Sequence, residues 1–235
     1  MNMFTKRSAK TPGSIRSPRP GRREQKKEET KEAILAVALR LFKRKGFEKA
    51  TLREIAKEAG IALGTTYNYF PTKEHLALYF FERAQDAVFE RYRREEPPGA
   101  SLEEKLFLVV ALELEELAPY ESFVHLAVMQ AVVPASRLNP MSPDVTHLKK
   151  RYLAFVEALI GGSAERALAH VVRPTSMLSN VFWLYHGGLV LFWLGDTSPG
   201  KEDTLVLLDR SLRFLLEALR GDTGPPARKK ARGQL

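Results

Sequence analysis

The stretch Gly64–Leu76, GTTYNYFPTKEHL, sets hydrogen-bonding side chains among three aromatic rings and then stops at a proline. Successive helical residues advance about 100°, so Thr66 and Phe70 share one face while Gly64, Thr65 and Asn68 fall on the opposite one. The first face suits packing and the second suits contact with a duplex. Gly64 has no side chain to hold a helix away from DNA. Thr65 can donate to a phosphate or touch a thymine methyl, and Asn68 carries the donor and acceptor pair that suits adenine. Tyr67 and Tyr69 flank this face with phenols that can reach a phosphate. Lys73 adds a positive charge where the N-terminus of the next helix also attracts an anion.

Other chemistries find less support. There is no cysteine, which excludes disulfides and thiolate metal sites and makes a reducing cytoplasm the expected compartment. His75, His125, His147, His170 and His186 form neither an H-x-x-x-H nor an HExxH spacing, so no metal is expected, and no cofactor either. A small-molecule hydrolase or transferase is the alternative from another class. It lacks a G-x-S-x-G, a P-loop and the Rossmann glycines, and the pairs Glu103-Glu104, Glu115-Glu116 and Glu202-Asp203 fall at helix starts or on solvated faces. The expectation is a protein that is not an enzyme.

The elements that must position the reading face are helices throughout. The chain has 235 residues, 44% of them hydrophobic, enough for a sizeable core. Its net charge of +9 is concentrated at the ends: residues 1–27 carry +8 and residues 222–235 carry +3, whereas 28–73 carry +3 and 74–221 carry −5. Residues 1–25 and 222–235 are too polar to order and read as a basic arm and a basic tail. From Lys26, apolar residues Ile34, Leu35, Ala38, Leu41 and Phe42 recur at helical spacing up to KRKGF, where Gly46 suits a left-handed cap. Thr51 and Glu54 form a capping box for LREIAKEA, Gly60 ends it, and a third helix is expected over 62–70. Thr72 is expected to cap a fourth helix over 73–96. Further helices are expected over 101–118, 121–135, 143–160, 164–172, 175–195 and 202–220, with no competing strand pattern. The run Met177–Gly195 has about the length of a membrane span. It is broken by Ser179, Asn180, Tyr185, His186 and two glycines, so it reads as a buried, partner-contacting helix and no membrane is expected.

Two short helices joined by AGI, the second followed at once by a capped helix, describe a helix-turn-helix. Residues 31–81 resemble the tetracycline-repressor (TetR) family of bacterial transcription regulators through Gly46-Phe47, Thr51, Ile55-Ala56, Ala59-Gly60, Tyr67, Phe70 and Lys73. The resemblance implies an all-α chain with an N-terminal three-helix DNA-binding domain over 26–73 and a helical effector-binding and dimerisation domain over 74–221. It makes Thr51 and Lys73 phosphate contacts, places Leu63, Gly64, Thr65, Tyr67, Asn68 and Tyr69 in the groove, and leaves Ile55, Ala56, Ile61 and Phe70 as packing. The chain departs from the pattern at Ala62, where a capping serine is common, and at Leu63, which can meet a thymine methyl or pack under helix one.

The implied function is a repressor that binds a palindromic operator as a homodimer and is released by a small, largely apolar effector. Alternatives are a DNA-binding regulator without a ligand and a non-specific DNA-compacting protein. Polar or aromatic residues stranded among apolar ones are the pocket candidates: Phe123, His125, Met129 and Tyr152, together with Phe155, Asn180, Trp183 and His186. Each can equally be a core or interface residue. The last two helices carry more leucine and tryptophan than one subunit would hide, so Leu189, Phe192, Leu205, Leu208, Leu212 and Leu215 are expected at a four-helix subunit interface, with Gly187-Gly188 allowing close helix contact or a kink.

Overall fold

A computed structural model describes residues 21–163 and 177–221, and among these every regular element is helical. Residues 1–20 of the arm expected over 1–25, the helix over 164–172 with His170, and the tail over 222–235 lie outside the described residues, whereas residues 22–25 of that arm are helical. Helix α1 spans Arg22–Lys45, beginning ahead of the expected Lys26. Gly21 enters it in an extended conformation, Gln25 N–H donates to the Gly21 carbonyl at 3.1 Å, and no helix breaker interrupts the following run. Gly46 ends it with φ 83° and ψ 158°; the positive φ was expected, but ψ lies outside the left-handed helical well, in a region that only glycine enters cheaply.

Helix α2, Leu52–Ala59, has the expected capping box. Glu54 N–H donates to Thr51 Oγ1 at 3.2 Å, and Thr51 N–H donates back to Glu54 Oε2 at 3.1 Å. Gly60 is left-handed, and Ile61 N–H closes onto the Ala56 carbonyl at 3.0 Å, which aims α3, Leu63–Tyr69, across the end of α2. Helix α4, Lys73–Glu95, follows directly, but Thr72 does not cap it: the hydroxyl lies 2.9 Å from His75 Nδ1 instead. The body continues with α5, Leu102–Leu117, behind a Ser101–Glu104 capping box. A 3-10 turn, Ala118–Tyr120, leads into α6, Glu121–Ala131. Helix α6 was expected to reach 135. It stops at Ala131, where Asn139 Nδ2 takes the Ala131 carbonyl at 3.1 Å and Pro134 cannot continue the ladder. Helix α7 is Pro143–Gly161, α8 is Met177–Gly195 and α9 is Glu202–Gly221.

One buried cluster runs from Ile34 and Phe42 in α1 through Leu76 and Val88 in α4 to Leu208 and Leu212 in α9. The expected division after residue 73 therefore falls at the start of a helix whose packing is continuous with both sides. Tyr79 of α4 reinforces the join with its single hydroxyl proton shared between two carboxylates of α1, Glu28 at 2.6 Å and Glu32 at 2.8 Å. None of the helices among the described residues is long and apolar enough to cross a membrane.

Candidate nucleic-acid interface and effector cavity

Helix α3 divides sharply by exposure. Thr66 is fully buried, with N–H and Oγ1 both returned to the Ala62 carbonyl at 3.0 and 3.3 Å, and Phe70 is buried with its ring 5.3 Å from that of Tyr79. Gly64 and Asn68 are exposed and Tyr67 is 47% exposed. Leu63, Thr65 and Tyr69 are half-buried, and the Tyr69 ring packs partly against the core, so the two tyrosines are not equivalent. Ala62 gives α3 no side-chain cap, and a single seven-residue helix is held instead by burial of Thr66 and Phe70.

Thr51 is exposed at the start of α2. Glu54, its capping partner, is held below the usual carboxylate range by the Lys45 ammonium first and by Thr51 second. Lys73 Nζ donates to the carbonyls of Phe47 and Glu48, at 2.6 and 3.0 Å, and lies 4.9 Å from the Phe47 ring centroid. It clamps the α1–α2 turn, leaving one ammonium proton for another acceptor. The acidic residues of α2 face α1, where Glu58 pairs with Arg44 at 3.0 Å and Glu54 pairs with Lys45. Lys49, Arg53 and Lys57 are exposed and make no ion pair among the described residues. The sequence reading passed over these three cations, although their exclusion from the capping and apolar positions of α2 was visible.

A cavity of about 580 Å³ opens in the body. Leu78 and Phe81 of α4, Leu117 of α5, Ala127 of α6, Leu148 of α7 and Val190 of α8 supply apolar wall, and the segment from Val132 to Met141 crosses its rim. Its polar groups are few. Glu113 Oε2 lies 2.7 Å from His186 Nε2, with the side chains 13% and 8% exposed. The His186 ring lies 4.4 Å from that of Tyr152 and 5.3 Å from that of Trp183. Burial, and then the Glu113 charge, push the Tyr152 hydroxyl well above its ordinary pKa. Gln85 of α4 and Asn139 complete the polar lining.

Of the expected pocket residues, Trp183 and His186 line this cavity and Tyr152 stands behind His186. The other five do not meet it. Phe123 is buried against the rings of Phe42, Phe80, Phe81 and Phe47, where it joins α6 to α1 and α4. Phe155 stacks on Phe89 at 4.1 Å on another side of α7. His125 and Met129 are exposed, on the side of α6 away from the cavity wall, and exposed Asn180 accepts from Lys149. Gly187 and Gly188 line the cavity, and a Cβ at either would meet nothing within 4 Å among the described residues, so neither is required by close packing inside the subunit.

The expected interface set is corrected in part. Leu189, Leu208 and Leu212 are 3%, 0% and 1% exposed within the single subunit. Residues Thr204, Leu208, Leu212 and Leu216 recur every four positions and form the inward stripe of α9, which the chain's own helices cover. Leu205 and Leu215 are half-buried, and Phe192 is exposed. The large apolar residues that α8 and α9 leave open also include Val206 and Phe214, the latter 74% exposed. Asp196 fixes the corner between the two helices: its carboxylate accepts from the Ser198 N–H and hydroxyl at 2.8 and 2.6 Å and from the Thr204 N–H and hydroxyl at 2.9 and 2.6 Å.

Known proteins resemble the two ends of the chain separately. Residues 34–80 match the model of bacterial regulatory proteins of the tetR family, and residues 105–227 match that of the tetracyclin repressor-like C-terminal domain. The HTH-type transcriptional regulator YuxN of Bacillus subtilis is 29% identical over 77% of this chain, which spans 62% of that relative, less than two thirds of its length. The HTH-type transcriptional repressor KstR of Mycolicibacterium smegmatis is 26% identical over 80% of this chain and 87% of its own. The fold is also that of the transcriptional regulator FadR from Bacillus subtilis, solved in complex with stearoyl-CoA, with a TM-score of 0.53 and 22% identity over 79% of this chain and 96% of that one. These relatives are transcription regulators rather than enzymes. With a helix-turn-helix matched at one end and a repressor-like helical body covering more than half of its length, the chain belongs to the TetR family of bacterial regulatory proteins.

Proposed function

We propose that this chain is a cytoplasmic repressor that reads a two-fold symmetric DNA site as a homodimer and lets go when a small, largely apolar molecule enters the cavity of each subunit. The observation that carries DNA reading is the division of α3, with Thr66 and Phe70 turned inward and Gly64, Tyr67 and Asn68 left open on a rigidly seated helix. Asn68 then reads a base edge, and Thr65, Tyr67 and Leu63 contribute phosphate or methyl contacts. Thr51, Tyr69 and the remaining proton of Lys73 reach backbone phosphates, with Lys49, Arg53 and Lys57 supplying charge that is independent of sequence. Repression as the sign of regulation is supported by the similar KstR.

Dimerisation through α8 and α9 is supported by the apolar residues these helices leave exposed, Phe192, Val206 and Phe214. Two α3 helices would then enter major grooves about one turn apart, ~34–36 Å, or an extended version of that spacing. The cavity supports the effector half of the reading, because its volume lies within the range of small-molecule sites and its lining is mostly apolar. The test is a gel-shift series on a site selected from random duplexes by the wild-type protein. Tyr67→Ala should weaken binding on every sequence. Asn68→Ala should relax preference at one base pair per half-site, by roughly 1–3 kcal/mol. Wild-type affinity and preference in both variants, with circular dichroism unchanged, would remove α3 from the groove.

A further inference from the structure

The polar chemistry of the cavity restricts what can enter it, and this inference rests on the cavity's being the effector site. Gln85 is 7% exposed and lies in the cavity wall. Its Nε2 donates to the Leu148 carbonyl at 3.3 Å. A carbonyl accepts and never donates, so the orientation of the amide is fixed by chemistry, and the atom left over is the acceptor Oε1. That oxygen is buried and has no hydrogen-bond partner among the described residues. Buried polar atoms of folded proteins are nearly always paired, and one left bare on a residue of a cavity wall is a place for a ligand donor, which reaches it by a small turn of the side chain because the oxygen itself is closed to solvent.

The rest of the lining has the same polarity. Glu113 is a carboxylate with lone pairs to spare beyond its bond to His186. Both ends of the Asn139 amide are spent, Nδ2 on the Ala131 carbonyl at 3.1 Å and Oδ1 on the Met141 N–H at 3.0 Å. No Lys or Arg is among the described residues that line the cavity. Among the described residues an anionic head would find no counter-ion to offset its lost hydration, and it would face the Glu113 carboxylate. A cationic head could use the spare Glu113 lone pairs only beside His186, which already holds that carboxylate at 2.7 Å. A neutral donor meets neither difficulty.

We propose that the effector is an uncharged molecule with an apolar body and a hydroxyl head whose O–H donates to Gln85 Oε1, and that free fatty carboxylates and acyl-CoA thioesters are poor ligands for this chain. The stearoyl-CoA complex of the similar FadR makes the second half a sharp distinction rather than a default.

A matched decyl series decides it. Decan-1-ol, decanoate, decylamine and decyl methyl ether, with stearoyl-CoA as a further probe, are titrated at pH 8 into the full-length dimer. Binding is followed by tryptophan fluorescence, since Trp183 is part of the wall, and by calorimetry. Decan-1-ol should bind at least about tenfold more tightly than the carboxylate and the ether, the range expected for one well-made hydrogen bond to a buried acceptor. Gln85→Leu should remove that preference over the ether by weakening the alcohol alone. Should Gln85→Leu fail to fold, the wild-type series still decides. Tighter binding of decanoate, decylamine or stearoyl-CoA than of decan-1-ol overturns the neutral hydroxyl head while leaving the cavity as an effector site. If no member of the series binds, the cavity is not the effector site and both readings fall together.

Discussion

Replacing Phe123 with alanine should destabilise the subunit severely, because this ring holds the DNA-binding head to the body. It is 3% exposed. It stacks on Phe42 at 5.4 Å with the rings 9° apart, meets Phe80 edge-on at 5.0 Å, and has Phe81 and Phe47 at 6.4 and 6.5 Å. Truncating a buried phenylalanine costs about 3–5 kcal/mol. Close ring pairs add about 0.5–1.5 kcal/mol each beyond burial, which places Phe123→Ala at the upper end of that range. Phe123→Leu, which keeps most of the volume, should cost about 1.5 kcal/mol or a little more. A double-mutant cycle with Phe42→Leu should then show a coupling of about 0.5–1.5 kcal/mol for the stacked pair. The assay is urea unfolding at one fixed protein concentration, since the stability of a dimer depends on concentration. A loss below about 1 kcal/mol in Phe123→Ala, accompanied by loss of effector response, would return Phe123 to the ligand site and refute the reasoning.

Three further outcomes are expected. Gly187→Ala should raise stability by up to about 1 kcal/mol in thermal unfolding, because alanine is the better helix former and its Cβ meets nothing within 4 Å among the described residues; a loss of stability would place the partner subunit's helix against this position. Hydroxyl and backbone donors of Ser198 and Thr204 hold the Asp196 carboxyl far below the usual carboxylate range. The folded chain thus binds that proton less readily than the unfolded chain, so the stability Asp196 adds is complete above about pH 4 and is lost as pH falls through the lower folded value. Asp196→Asn should be less stable than wild type at pH 7, and the difference should shrink on acidification; a constant difference down to pH 2 would contradict it. Phe214→Asp should leave the subunit folded and give monomers in sedimentation, whereas a charge at Leu212, 1% exposed inside the subunit, should unfold it.

The head was legible in the sequence because its signals are local. Thr51 and Glu54 are three residues apart and satisfy each other's backbone whatever the body does. The burial of Thr66 and Phe70 opposite Gly64 and Asn68 follows from helical periodicity alone. The body was less legible because periodicity identifies an apolar face without saying what covers it. Leu208 and Leu212 needed cover, and the chain's own helices provide it. The residues Phe123 and His186 are both aromatic and buried, yet one is core and the other cavity wall, a difference set by which helices happen to meet. Gln85 and Glu113 went unnoticed although a signal existed. Gln85 continues the stripe of Leu78 and Phe81, and Glu113 continues that of Leu106, Val109 and Val110 towards Leu117, so each is a polar residue at a core position of its helix.

Two of the helices that wall the cavity, α4 and α6, also grip the head. At its start α4 carries Lys73, clamped on the Phe47 and Glu48 carbonyls at 2.6 and 3.0 Å, and further along it presents Leu78, Phe81 and Gln85 to the cavity. Helix α6 presses Phe123 onto Phe42 and turns Ala127 and Ala131 to the cavity, while Gln130 donates to Glu48 Oε1 at 2.5 Å. Both grips therefore converge on the end of α1 and the turn that leads from it into α2, the helix against which the reading helix is folded. A molecule that spreads α4 from α6 has to carry these two grips apart or move the turn with them, and close packing of the rings around Phe123 resists the first. Motion of the head is then the cheaper response, and it separates or tilts the two α3 helices of a dimer. Linkage fixes the size of the return effect: an effector that weakens operator binding tenfold is itself bound about 1.4 kcal/mol less tightly by the operator complex. The hydroxyl that answers Gln85 would thus act on the very helix that begins at Lys73.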